Sequence, residues 1–531
     1  MTSPYGRTHS HSRLTIWLAA VPTMFIGIFV VGPAANIFIS SIQADSLQLL
    51  TSDSIRNVLW FTSWQATLST ILVLVLAIPL AFLIANFKFA YQRIFLSLIS
   101  VPFLLPSIVV GLAFLQILPH NTHRTAFALI MAHIYFNFGF AVRLVGGRWL
   151  QIHPHLDDAA RTLGASPTKL FTTVTFPMLK KALINAGCIV FTLCFTSYGV
   201  VRVLGGPSRS TLETEIYFRA MQLGDVSGAV LLSAIQVVAI VALFYITTKA
   251  TSQTSEQISP PTISRQKTLH NSAHKTFVTL AIWLVTALAI VPLIAVATRS
   301  MLIDSRFTLF AWRQVFDDPE ILGSLGKTLF NATLATAFST SLALLGACTI
   351  AYGQTRSRFF SIITTLPIVI SAVSVGLGMI ITFDTGWFDW RGAQIMLPIA
   401  HAMVALPLAI RMISPVLEAI PNSLREASSL LGASHWSTWR KIDLKIIKRA
   451  TLSAAVISAA VSIGEFGASS FLARRGTETL PVTISRLLSR PGETMQAQAF
   501  VLATVLALAS IGFIFFIDSI SFDRNNGRVD A

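Results

Sequence analysis

The chain has 531 residues, of which 53% are hydrophobic and only 12% charged, a balance that excludes an ordinary soluble globular domain. Runs of apolar residues long enough to cross a hydrocarbon core of roughly 30 Å as helices recur along its whole length. The formal net charge of +16 does not point to a nucleic-acid partner, because Lys and Arg are dispersed among short loops instead of being gathered on one segment.

Taken in chain order, the apolar runs between charged or Gly/Pro-rich breaks predict twelve spans. They fall at 14–40, 58–86, 94–118, 125–146, 182–204, 228–247, 276–298, 325–353, 359–383, 393–413, 450–472 and 497–520. The first follows a basic, His-rich start without a small-residue cleavage site and is expected to remain as an anchor. Cys188, Cys194 and Cys348 lie inside apolar runs, where packing is their expected role, with no disulfide framework or metal spacing. The stretch 248–275 is rich in Ser, Thr, Gln and Pro and reads as a polar cytoplasmic linker. It separates a first six-helix half, 1–247, from a second, 276–531. The expected fold is all-α: a polytopic membrane protein of about 12 transmembrane helices in two tandem six-helix halves.

Loop charge orients the chain. Lys88 and Arg93, the basic residues between Arg143 and Lys181, Lys249 to Lys275, Arg356 and Arg358, and Arg411 to Arg449 fall on one face. Placing that face inside makes both termini cytoplasmic.

The halves repeat one another at a constant offset of 268 over nearly ninety residues. Ala132-His133 meets Ala400-His401, Arg143 meets Arg411, and Leu163-Gly164-Ala165-Ser166 meets Leu431-Gly432-Ala433-Ser434. Gly199 meets Gly467, Leu204 meets Leu472, Thr211-Leu212 meets Thr479-Leu480, and Ile216 meets Ile484. An even number of spans per repeat lets both halves enter the membrane in the same direction, with a pathway between them.

In each half the longest cytoplasmic loop joins the fourth and fifth spans. The first reads Asp158-Ala159-Ala160, three residues, Gly164, nine residues, Val174, one residue, Phe176-Pro177. The second reads Glu426-Ala427-Ser428, three residues, Gly432, nine residues, Ile442, one residue, Leu444-Lys445. Small residues permit close approach to a partner, and Gly permits a sharp turn. The plain alternative is a solvated amphipathic connector.

This doubled pattern resembles the EAA loop of binding-protein-dependent ABC importer permeases: Glu-Ala-Ala, three residues, Gly, nine residues, Ile, one residue, Leu-Pro. The resemblance implies that each loop forms a coupling helix docking on an ABC ATPase subunit, with two such subunits on the cytoplasmic face. It further implies an extracytoplasmic solute-binding protein, a small-molecule substrate, a prokaryotic plasma (inner) membrane, alternating access and no cofactor. Asp158, Ser428 and Lys445 depart from the pattern and predict unequal docking of the two loops. The chain is expected to be no enzyme: Gly323-Ser324-Leu325-Gly326-Lys327-Thr328 imitates a phosphate-binding loop, but Ile321 occupies the position that needs Gly.

Fused halves of this size are similar to thiamine permeases and the related ferric-iron permeases. Leu204-Gly205-Gly206-Pro207, Thr211-Leu212-Glu213 and Ile216-Tyr217 favour the thiamine group, with its phosphates as further candidates. Gly464-Glu465-Phe466-Gly467 suits either. Glu465 is the leading pathway candidate, because a carboxylate inside a span is costly unless it is compensated or used. Tyr198 and Phe466 would add aromatic faces for a cation. His133 and His401, at equivalent places in the fourth spans, are expected to face one another or to bond between helices. Arg143 and Arg411 are expected as interfacial anchors. Paired catalytic carboxylates and a metal-spaced His cluster are missing from the sequence. A twelve-helix secondary transporter is the competing class, opposed by the doubled loop motif and by sparse membrane charge.

Overall fold

The computed structural model describes residues 10–41, 48–89, 91–206, 209–251, 266–268, 272–352, 364, 366–367, 370–383 and 393–526. These residues are overwhelmingly helical, as hydrocarbon demands of a spanning backbone whose polar groups must be satisfied internally.

Through the first sequence half the helices are α1 (Leu18–Ser41), α2 (Asp53–Asn86), α3 (Gln92–Leu104), α4 (Ser107–Ile117), α5 (Ala126–Leu150) and α6 (Pro154–Thr162). They continue as α7 (Pro167–Phe195), α8 (Gly199–Leu204), α9 (Leu212–Phe218) and α10 (Val226–Thr251). The second half runs α11 (Ser272–Arg299), α12 (Phe310–Asp317), α13 (Pro319–Tyr352), α14 (Ala372–Phe383), α15 (Met396–Glu418) and α16 (Asn422–Leu430). It ends with α17 (His435–Gly464), α18 (Gly467–Leu472), α19 (Leu480–Leu488) and α20 (Glu493–Asn526). Among the described residues ten helices are long and apolar enough to cross a membrane, or eleven with the bent pair α3–α4. The span expected over 359–383 lies partly outside the described residues, which include its end as α14.

Among the described residues, three expected spans are broken where apolarity continues. The helices α3 and α4 meet at 99°, at Leu105-Pro106, where the proline cannot donate to the preceding turn. The fifth and eleventh expected spans stop at Phe195 and Gly464, and short helices α8 and α18 follow. Close approach explains the repeated glycines after these breaks. A Cβ on Gly199 would collide with the Ser107 hydroxyl and lie 2.9 Å from Ile108 N, and one on Gly467 would lie 3.0 Å from Ala372 Cβ and 3.2 Å from Val373 N.

The chain packs as two compact units interleaved along the sequence. One comprises Met1–Ile42, Asp318–Thr483 and Phe515–Ala531. Within it α1 lies against α14, with Asn36 Nδ2 donating to Ile381 O at 3.2 Å and to Thr382 Oγ1 at 3.3 Å. The other comprises Gln43–Asp317 and Ile484–Ile514. Within it α11 lies against α5, where Tyr135 Oη donates to Ala289 O at 2.9 Å. Each half's first span is thus built into the unit formed by the other half's central helices.

The expected linker is described only at its edges. Its last part docks: β2 (Lys267–Thr268) pairs in parallel with β1 (Phe87–Lys88), and Gln266 Nε2 donates to Ile84 O at 2.8 Å. A hairpin of β3 (Leu302–Ile303) and β4 (Arg306–Phe307) follows α11.

Candidate functional site

The two fourth-to-fifth loops fold alike, residue for residue. Each begins with a nine-residue helix without a buried side chain, α6 or α16. Each helix ends in a left-handed glycine, Gly164 at φ +79° and Gly432 at φ +78°. Around Gly164 the Gly164 N–H donates to Arg161 O at 2.9 Å and the Ala165 N–H to Ala160 O at 3.0 Å. Around Gly432 the matching bonds run to Ser429 O at 3.0 Å and from Ala433 to Ser428 O at 3.1 Å. This paired closure satisfies the last helical carbonyls, and the left-handed conformation is where an L side chain is strained.

The serine two residues on starts the next helix. Ser166 Oγ accepts from Lys169 N at 3.3 Å, and Ser434 Oγ from Ser437 N at 3.2 Å. Leu-Gly-Ala-Ser is therefore a stop signal and a start signal written in four residues. Both following helices pass through one π-helical turn, Phe171–Thr175 and Trp439–Asp443, which carries the half-buried Val174 and Ile442. Pro177 follows the first of these π-turns within α7, and Leu444 follows the second within α17.

Asp158, Ala159, Glu426 and Ala427 are exposed, whereas Ala160 and Ser428 turn partly inward. Ser428, where the family pattern has Ala, bonds Thr438 Oγ1 at 2.9 Å and so ties α16 to α17. Apolar side chains face water on both loops: Leu163, Leu430 and Leu431 are each 88% exposed. The second loop adds Trp436, 66% exposed and stacked on Trp439 at 5.2 Å. The phosphate-loop imitation, by contrast, lies wholly within helix α13, with Lys327 Nζ bonded to Gly476 O.

A second constellation sits at the α17–α18 break. His401 on α15 is 1% exposed, with Ser462 Oγ 2.8 Å from Nδ1 and Ser469 Oγ 2.9 Å from Nε2. Glu465 is 6% exposed, and its carboxylate accepts from Ala468 N at 2.8 Å, Ser469 N at 2.9 Å and Ser469 Oγ at 2.8 Å. The carboxylate thus takes up the orphan N–H groups and positive end of α18. Ser469 gives its only proton to Glu465, so its oxygen accepts from His401 Nε2–H, and that nitrogen also lies 3.3 Å from Glu465 Oε2. A continuous chain of hydrogen-bonding groups results, from Ser462 through the imidazole and Ser469 to Glu465. Ser462 and Ser469 were not singled out by sequence reasoning; their signal is a seven-residue spacing of small hydroxyls flanking the carboxylate.

The first half builds no equivalent. The repeat places Cys194, Ser197 and Val201 where Ser462, Glu465 and Ser469 stand. His133 is 2% exposed, Ser69 Oγ lies 3.5 Å from its Nδ1, and its Nε2 has no partner among the described residues. Asn137 bonds His133 O at 3.0 Å. Tyr198 and Phe466 are buried at the two equivalent breaks, with the Tyr198 ring 5.5 Å from that of Tyr217 and Phe466 capping α18. Each candidate thus belongs to the core of its own unit.

Comparison with known proteins agrees with the doubled loop. The family described as binding-protein-dependent transport system inner membrane component matches residues 77–257 and again 340–521. The chain is 27% identical over 485 residues to the thiamine transport system permease protein ThiP of Brucella abortus (strain 2308), covering 87% of each protein. It is 24% identical over 510 residues to ThiP of Haemophilus influenzae, covering 91% of this chain and 92% of that one. It is also 24% identical over 516 residues to the ferric transport system permease protein FbpB of Actinobacillus pleuropneumoniae, covering 90% of this chain and 72% of that one. The two matched segments take in both exposed loops and most of the spans, and the chain belongs to the family of binding-protein-dependent transport system inner membrane components, as a multi-pass permease with both family segments on one polypeptide.

Proposed function

We propose that the chain is the permease of a thiamine importer, with one ABC ATPase subunit docked at each cytoplasmic loop and a solute-binding protein on the opposite face. Similarity to thiamine permeases over 87% of both chains carries the choice of substrate. The two glycine-terminated loops with leucines exposed at their ends support one ATPase contact per half. Lys and Arg concentrated on the loop side support cytoplasmic loops, linker and termini. The halves 1–247 and 276–531 together enclose one path, opened alternately to either side by differential contact in the two states.

Glu465 and His401 are assigned to gating. Their bonds span a helix break, and motion of α18 against α17 has to exchange them. Phe466, next to Glu465 and in the same unit, is assigned to the same gate.

The test is ATP-dependent uptake by proteoliposomes carrying the complex, with labelled thiamine, thiamine phosphates and ferric iron compared side by side. Saturable thiamine uptake is expected. Ferric uptake without thiamine uptake would establish the second reading, which the similarity to FbpB favours. Reporter fusions that place the 248–275 linker outside the cytoplasm would overturn the orientation and the ATPase docking with it.

A further inference from the structure

The coupling helix α16 is fastened by a side-chain assembly that its counterpart α6 lacks. Arg425, one residue before Glu426, donates from Nε to Asp443 Oδ1 at 3.0 Å. Asp443 is 2% exposed, and its other oxygen accepts from the Tyr352 hydroxyl at 2.9 Å. Two further Arg425 nitrogens reach Leu417 O at 3.3 Å and Asn422 Oδ1 at 3.2 Å, and the guanidinium carbon lies 5.0 Å from the Tyr352 ring centre. One planar cation with donors on three nitrogens and an apolar face therefore joins four elements. They are α16 itself, the end of α15 at Leu417, the last residue of α13 at Tyr352, and the π-helical turn that opens α17.

The repeat puts Asp157 and Thr175 at the places of Arg425 and Asp443. Helix α2, 34 residues long like α13, ends at Asn86, whose amide bonds Phe82 O at 2.9 Å. The first half instead seats its loop on rings: Trp149, 2% exposed, lies 6.1 Å from Phe171 and 5.5 Å from Phe82. Apolar contacts are numerous and direction-tolerant, and they let a helix rock. A charge pair with fixed hydrogen-bond directions does not.

We infer that Arg425, Asp443 and Tyr352 form a positioning clamp that locks the second coupling helix to three membrane spans, so that movement of α16 is passed on rigidly to α13, α15 and α17. The inference rests on the proposed coupling of these loops to ATPase subunits. Removing either charge strands the other: Asp443 is almost fully enclosed, and the Arg425 side chain is only 20% exposed. Tyr352→Phe keeps the ring under the guanidinium and deletes one hydrogen bond.

The experiment uses the complete complex of permease, ATPase and binding protein in proteoliposomes. It reads thiamine imported per ATP hydrolysed and the spectrum of a spin label on Ser423→Cys, an exposed position at the start of α16, which is selective because Cys188, Cys194 and Cys348 are buried. Arg425→Gln and Asp443→Asn should lower import per ATP about fivefold or more and blunt the nucleotide-dependent change in label mobility. Arg425→Lys keeps the charge but not the fork or the ring contact and should recover only part of the loss, staying about twofold below the parent; Tyr352→Phe should lose about twofold, and Thr175→Val in the first half should match the parent. Should the charge-removing variants fail to assemble, Arg425→Lys and Tyr352→Phe decide the matter. Parental coupling and parental label response in the variants that do assemble would overturn the clamp alone. A parental complex that binds no ATPase subunit would overturn the clamp and the proposed function together.

Discussion

Leu480 donates its backbone N–H to the hydroxyl of Thr328 at 2.8 Å, a bond between the start of α19 and the N-terminal third of α13. The first half repeats it, Leu212 donating to Thr62 Oγ1 at 3.0 Å. Each threonine also donates to its own helix, to Ser324 O and Val58 O at 2.7 Å, so the hydroxyl proton is already used and the oxygen is free to accept. The repeated Thr-Leu pair is one side of this tie.

Replacing Thr62 or Thr328 with Val keeps the shape and leaves a buried N–H without its acceptor. The expected cost is about 1–3 kcal/mol for each site. Thermal unfolding of the purified permease checks it, with Thr→Ser as the variant expected to stay near the parent. Equal stability of the Val and Ser variants would show that the bond carries no weight.

Gly164 and Gly432 have open space where a Cβ would stand, so substitution there is limited by backbone conformation and not by collision. The left-handed region costs an L residue roughly 1–2 kcal/mol, and least for Asn. Gly→Val should unseat the helix ends of α6 and α16 and depress transport severalfold with normal membrane insertion, while Gly→Asn keeps most activity. Uptake by the double Val variant at the parental rate would remove the loops from the coupling mechanism.

Gly199 and Gly467 are limited in the opposite way, since a Cβ would overlap neighbouring atoms at Gly199 and press tightly against them at Gly467. Gly199→Val should destabilise more than Gly467→Val, because the first meets the Ser107 hydroxyl and Ile108 backbone and the second mainly side-chain carbons. Folded yield in detergent gives the order, and the reverse order would contradict this packing.

Glu465→Gln preserves shape and can still accept at one oxygen, whereas Glu465→Leu abandons the N–H groups of Ala468 and Ser469. We expect the Gln variant to fold and to lose transport partially, and the Leu variant to lose more. His401→Asn should resemble the Gln variant if the chain from Ser462 to Glu465 moves during gating. Parental transport in both Glu465 variants would reduce the carboxylate to a helix cap.

The spans and the doubled loop were legible because each leaves a local signal: sustained apolarity for the spans, and Gly-Ala-Ser at a fixed spacing for the loops. The breaks at Phe195 and Gly464 were not. Residues on both sides remain apolar, and the event that ends α17, a carboxylate turning to cap the next helix, is chemistry at a single residue within an apolar window. Glu465 stands out in the sequence as a carboxylate in an apolar run that reads as one continuous span, whereas the structure has it at the break between α17 and α18. Nothing local announces Asp443 either, since its value as a partner depends on Arg425 and Tyr352 arriving from elsewhere in the chain.

The interleaving of α1 and α11 sets an order on synthesis. Helix α1 leaves the ribosome hundreds of residues before α14, the helix that receives Asn36, and α5 waits for α11 to supply the carbonyl of Ala289. A nascent chain released after α10 would hold a first span with its lasting neighbours unmade and a bundle still lacking one of its own. Two genes encoding the halves separately would have to trade helices between newly inserted chains. Fusion through one linker makes that trade an event within a single molecule, at a local concentration that does not fall when expression does.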